Sequence, residues 1–203
     1  MRRLLAVIAG VFLTSGAVAQ TAPVAAPIAP PVAEAANIWV LDLSTGGQVR
    51  ILLRPDVAPK HVERIKLLTK EGFYNGTVFH RVIEGFMAQG GDPTATGGGG
   101  SKHPDLKAEF NDLPHVRGAL AAARPENKDG ANSQFYICFA PALKLDRLYT
   151  VFGRVISGMD FVDAIERGEP PAAPSKILRA SMATDALPAL MMVAPAALLD
   201  PVK

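Results

Sequence analysis

The chain of 203 residues contains a single cysteine and four histidines. With no second thiol to meet, Cys138 cannot form a disulfide within the chain, so the fold must be stable on packing alone. A catalytic thiol needs a neighbouring base, and "SQFYICF" (133–139) nominates none. His61, His103 and His115 show no ligand spacing with one another or with Cys138, which argues against a metal site. "TGGGGSK" (96–102) lacks the Gly-Lys-Ser/Thr ending of a phosphate loop and follows no βαβ pattern. It reads instead as a mobile loop beside a groove. Ser133 has no nucleophile elbow around it, which excludes a serine hydrolase of that type. No internal repeat is present.

Long apolar runs are also missing. The run from Leu4 to Leu13 is about half the ~20 residues that a membrane-spanning helix needs. With Met1-Arg2-Arg3 before it and Ala17-Val18-Ala19 after it, it has the three parts of a secretory signal peptide. Cleavage is expected between Ala19 and Gln20, giving an exported protein, periplasmic or secreted, with no stable membrane insertion. An uncleaved N-terminal anchor is the other reading. Charge of one sign is lacking too. Residues 1–19 hold two Arg and no acid, so removing them leaves 19 basic against 19 acidic residues. A neutral surface offers no electrostatic case for nucleic acid or for an anionic membrane.

What remains is a globular chain, 49% hydrophobic with a mean hydropathy of +0.19. Residues 20–36, "QTAPVAAPIAPPVAEAA", form an Ala/Pro-rich linker expected to be extended. "NIWVLDL" (37–43) and "QVRILLR" (48–54), joined by Ser44-Thr45-Gly46-Gly47, read as a hairpin. Residues 58–71 place Val62, Ile65, Leu67 and Leu68 at helical spacing, with Pro59 in the first turn. Short strand-like runs follow at 77–83, 86–89, 117–123, 133–139 and 150–155, then a second helix near 159–167 and a closing strand at 175–182. This order predicts a mainly β domain over 37–184, a barrel or sandwich with helices over its open ends. Residues 185–203 are apolar but broken by prolines, and read as a loosely packed tail or a docking segment.

In "FHRVIEGFMAQGGD" (79–92), strict alternation sets Arg81 on the face of Phe79 and Ile83, and His80 on the opposite, structural one. A guanidinium is seldom buried among apolar residues without a partner. Phe79-His80-Arg81-Val82-Ile83, Gly85-Phe86-Met87 and Gln89-Gly90-Gly91-Asp92 resemble the signature of the cyclophilin family of peptidyl-prolyl isomerases. "TGGGGS" (96–101), "SQFYI" (133–137) and "VFGRV…GM" (151–159) follow in the family's order, and the resemblance covers residues 37–183.

The resemblance implies an eight-stranded antiparallel closed barrel capped by two α-helices, with the substrate groove on its outside. It implies that Arg81 is the catalytic donor to the prolyl nitrogen of a twisted X–Pro amide, with no cofactor, metal or covalent intermediate. Phe86, Met87, Tyr136 and Leu145 match the proline pocket. Gln89, Gln134 and the backbone at Ala123 and Arg124 match positions that hold peptide carbonyls. The chain departs from well-studied eukaryotic members at Lys144, where they often have Trp, at Tyr149 for His and at Arg124 for Asn. The first change predicts weak cyclosporin binding. Proline-containing polypeptides are the expected partners of a monomer that assists folding of exported proteins. A non-catalytic module that binds proline peptides is the alternative, and it gains little from a donor such as Arg81.

Overall fold

The computed structural model describes residues 32–186. The expected signal peptide, residues 20–31 of the linker and the tail from residue 187 lie outside the described residues. Four residues of the expected linker are helical. Val32–Ala35 form a helical turn, α1, and Ala35 packs with Ile38, Val40 and Ala183.

Eight antiparallel strands follow: β1 (Ile38–Leu43), β2 (Gly47–Leu53), β3 (Arg81–Ile83), β4 (Met87–Gly90), β5 (Ala119–Ala122), β6 (Phe135–Cys138), β7 (Val151–Ser157) and β8 (Ile177–Met182). They form one sheet in the order β3-β4-β6-β5-β7-β2-β1-β8. The sheet curls into a half-barrel and is not closed, which corrects the expected closed barrel. The reason lies at β3. Val82 exchanges both backbone hydrogen bonds with Gly168, at 2.7 and 2.9 Å, so its groups are not available to β8. Residues 76–79 reach residues 175–177 through isolated bonds such as Phe79 N–H to Ser175 O at 2.9 Å. An edge covered in this way is not left as an unpaired template.

Period-two alternation separates two apolar layers. Inside the curl, Trp39, Leu41, Ile51, Leu53, Leu120, Phe135, Ile137 and Phe152 form the core. Trp39, Tyr74 and Phe135 meet edge to face at 5.1–5.8 Å, a favoured geometry for aromatic rings. On the outer face, Met87, Ala119, Ala121, Tyr136, Cys138 and Val151 form a separate, smaller cluster. Alternation does not extend through residues 79–81. Phe79 is in the core with Val82, whereas Ile83 packs on the outer cluster. Arg81 therefore does not share a face with Phe79, because the regular strand begins only at Arg81.

Two helices cover the curl. α2 (Pro59–Lys70) turns Val62, Ile65 and Leu68 inward, while Leu67 is exposed despite its helical spacing. Its free N-terminal amides at Lys60 and His61 donate to the Glu109 carboxylate, each at 3.0 Å, and His61 Nδ1 lies 2.7 Å from the same group. That satisfies donors a helix start leaves unpaired. α3 (Met159–Asp163) is shorter than the expected 159–167, although Ile165 beyond it still reaches the core.

Candidate active site

Register builds the site. Arg81 on β3 pairs with Gln89 on β4, Gln89 with Tyr136 on β6, and Tyr136 with Ala121 on β5. Directly opposed residues share a face, with Cβ atoms about 4.5–5.5 Å apart. Cation, amide and aromatic ring thus form one row across the outside of the sheet, and the small Ala121 leaves space beyond the ring. A second row, Ile83–Met87–Cys138, runs beside it.

Loops complete the walls. Gly85, at φ +66°, turns the chain between β3 and β4 in a conformation glycine adopts without strain, and Phe86 follows. The 3-10 turn Leu143–Leu145 brings Lys144 and Leu145 to the opposite side. The resulting groove of about 340 Å³ is lined by Arg81, Phe86, Met87, Gln89, Ala123, Arg124, Tyr136, Lys144, Leu145 and Tyr149. Every expected site residue except Gln134 lines it. Gln134 stands in an adjoining hollow of about 440 Å³, which Gln89, Ala123 and Arg124 also border. Arg124 contributes more than backbone, since its guanidinium lies 4.5 Å from the centre of the Tyr149 ring and donates to Leu148 O at 3.1 Å.

Polar contacts hold the row in one sense. Arg81 Nε donates to Glu169 Oε2 at 2.7 Å, and its Nη1 makes a long contact of 3.5 Å to Gln89 Oε1. Gln89 Nε2 donates to Gln134 Oε1 at 2.9 Å, and Gln134 Nε2 donates to the Gly97 and Gly99 carbonyls at 2.9 and 2.8 Å. The glycine-rich loop lies beside the groove, as expected, and is tied down by hydrogen bonds. Asp92, 1% exposed, accepts from the Thr94, Gly97 and Gly99 amides at 2.7, 2.7 and 3.1 Å. A Cβ at Gly99 would overlap the Asp92 carboxylate, which explains glycine there. Burial alone would raise the Asp92 pKa; the Thr94, Gly99 and Gly97 hydrogen bonds outweigh it and hold the group at about 2.

The remaining chemistry-bearing residues are structural. His80 is buried and does not line the groove, and burial lowers its pKa against the pull of Asp92. Burial pushes the Cys138 thiol up to about 12, far from a nucleophile's range. Among the described residues, no cluster of three His, Cys, Asp or Glu side chains could hold a metal ion. Sequence reasoning missed Glu169, which belongs to no motif and lies 88 residues from Arg81. It is brought there by its neighbour Gly168, which pairs with Val82.

The family model for cyclophilin-type peptidyl-prolyl cis-trans isomerases matches residues 40–182. The chain belongs to the cyclophilin family. Among curated relatives, a probable peptidyl-prolyl cis-trans isomerase of Brucella suis is 45% identical over 201 residues, covering 91% of this chain and 97% of that protein. Peptidyl-prolyl cis-trans isomerase B of Bacillus subtilis is 41% identical over 129 residues, covering 63% of this chain and 89% of its own length. Among solved structures, the cyclophilin AquaCyp293 of Hirschia baltica superposes with a TM-score of 0.70 at 28% identity, over 76% of each chain. A Cryptosporidium parvum cyclophilin crystallised in the presence of the dipeptide Ala-Pro does so with a TM-score of 0.66 at 28% identity, over 71% of this chain and 98% of its own.

The Asp92 clamp makes a prediction. A carboxylate whose pKa is depressed by folding stabilises the native state above its unfolded pKa of about 3.9 and loses that contribution as pH falls towards about 2. Urea midpoints measured from pH 5 to pH 2 are expected to fall across that window, and Asp92→Asn should flatten the fall while lowering the midpoint at pH 5.

Proposed function

We propose that this cyclophilin accelerates cis/trans isomerisation of X–Pro bonds in exported polypeptides, with Arg81 as the catalytic residue. The observation that carries the reading is the row Arg81–Gln89–Tyr136 in one groove with the apolar side chains of Phe86, Met87 and Leu145. The leader pattern of residues 1–19 supports export, and the Ala-Pro dipeptide used with the Cryptosporidium parvum relative supports a proline-containing substrate.

The amide must lose its partial double-bond character to rotate, against a barrier of about 18–20 kcal/mol. As it twists, the prolyl nitrogen becomes pyramidal and its lone pair becomes an acceptor. A donor aimed at that lone pair binds the twisted amide better than the planar one, which is the requirement for catalysis. Arg81 suits the task because it is always protonated and presents a rigid fork of donors. Glu169 occupies Nε, which leaves the outer nitrogens to face the groove. Phe86, Met87, Leu145 and Tyr136 exclude water and hold the ring, and a less polar surrounding disfavours the more polar planar amide. No step needs a nucleophile, a metal or a cofactor. Action as a monomer is part of the same proposal, and Lys144 on the wall supports weak cyclosporin binding.

A preorganised donor of this kind is worth roughly 3–4 kcal/mol. Isomerisation of a short Ala-Pro peptide is therefore expected to lose about 10²- to 10³-fold in kcat on Arg81→Ala, with the thermal midpoint unchanged. Full activity of that variant would remove Arg81 from the mechanism. A folded wild-type protein that bound proline peptides without catalysis would make the groove a recognition site. Glu169→Ala frees the guanidinium without removing it, so kcat/KM should fall about 3- to 10-fold. Stability should change by under about 1 kcal/mol, as for exposed ion pairs.

A further inference from the structure

The floor of the groove carries a hydroxyl that the proposed chemistry does not use. Tyr136 is 5% exposed, and its Oη lies 3.0 Å from Nε2 of His115, a residue with no exposed surface. The two rings stack at 15° with centroids 6.0 Å apart. On the far side of the imidazole, Nδ1 is 2.8 Å from Asp146 Oδ1, and the same oxygen accepts the His115 backbone N–H at 2.8 Å.

The direction of this chain follows from its ends. The two His115 hydrogen bonds hold the Asp146 carboxyl below the usual carboxylate range, so it is ionised and can only accept. Nδ1 therefore carries the hydrogen. In a neutral imidazole Nε2 is then an acceptor, and burial keeps the Tyr136 phenol protonated, so Tyr136 donates to it. A buried imidazole with both nitrogens committed has one orientation, and so does the ring bonded to it.

The wall is tied to the same residue. Asp146 directly follows Leu145, the His115 carbonyl accepts Ala142 N–H at 2.7 Å, and Leu145 N–H donates to Ala142 O at 2.9 Å. His115 thus clasps the 142–146 segment at both ends, Ala142 by its carbonyl and Asp146 by its amide and ring.

We propose that His115 is a positioning residue for the proline pocket, setting the floor through Tyr136 and the wall through the turn that presents Leu145. This rests on the reading of the groove as a proline site. Floor and wall touch the pyrrolidine ring, which is shared by the planar and twisted amide, so their placement contributes uniform binding. Loosening it raises KM and leaves kcat. Arg81 has the opposite signature.

The test is KM and kcat for a short Ala-Pro peptide with wild type, Tyr136→Phe, His115→Leu and the double variant. Alongside it, ¹⁵N NMR of the wild-type histidines reads the tautomer. Tyr136→Phe, which keeps the ring, is expected to raise KM about 3- to 10-fold, the worth of one buried neutral hydrogen bond, with kcat within twofold. His115→Leu should raise KM at least as much, and adding Tyr136→Phe to it should change nothing further, since both changes break one link. His115 should show hydrogen on Nδ1. Wild-type KM in Tyr136→Phe, additive effects in the double variant, or hydrogen on Nε2 would each overturn the proposal. If His115→Leu does not fold, Tyr136→Phe and the tautomer still stand as tests. An inactive wild type would overturn the reading of the groove and this proposal with it, whereas an active wild type with unaltered Tyr136→Phe would overturn only the latter.

Discussion

Alternation along a curled sheet is the constraint on which the rest of this structure depends. A short strand with bulk on its concave side must point every second residue outward. On β6 this sends Phe135 and Ile137 to the core and Tyr136 and Cys138 to the other face. β5 does the same with Leu120 and Ala122 against Ala119 and Ala121. The core is filled, so nothing can bind inside. The outer cluster, small at Ala119 and Ala121, is left with a hollow that only the loops enclose. A peptide-sized site therefore arises on the convex face of a β domain.

Where the apolar floor is set by packing, the polar edge is set by pairing. Register alone brings Arg81, Gln89 and Tyr136 into line. Pairing at the open edge of β3 adds Glu169, because the Gly168 segment takes the backbone groups of Val82. The Gln89–Gln134 contact then continues to the glycine-rich loop and the Asp92 clamp. A guanidinium held at Nε and brushed at Nη1 has lost much of its rotamer freedom before any substrate arrives. Preorganisation of this kind is what gives a single donor leverage on a transition state.

Much of this was legible in the chain itself. The first hairpin, the 59–70 helix and the strand runs follow from periodicity and turn residues, since those signals are local. Arg81, Phe86, Met87 and Gln89 sit within nine residues of one another, so their common place could be read along one hairpin. Contacts set by the tertiary fold could not. Glu169 and the His115–Asp146–Tyr136 chain join segments far apart in sequence, and nothing in the spacing marks them. The open seam was missed because closure depends on whether Val82 finds Gly168 or β8, a competition between distant segments. Leu67 shows the limit of helical spacing, which places a residue on a stripe without saying how wide the buried part is. The irregular backbone at residues 79–81 likewise broke an alternation that held everywhere else on that hairpin.

The central claim is that this groove lowers the barrier to rotation and does not merely hold proline peptides. Exchange NMR on a short Ala-Pro peptide, with and without catalytic amounts of the purified protein, measures that directly. The uncatalysed exchange takes tens to hundreds of seconds. Cross-peaks between the cis and trans signals within a second or less are expected when the protein is present. Peptide signals that broaden or shift through binding, with the cis and trans populations exchanging no faster than in free solution, would contradict the claim.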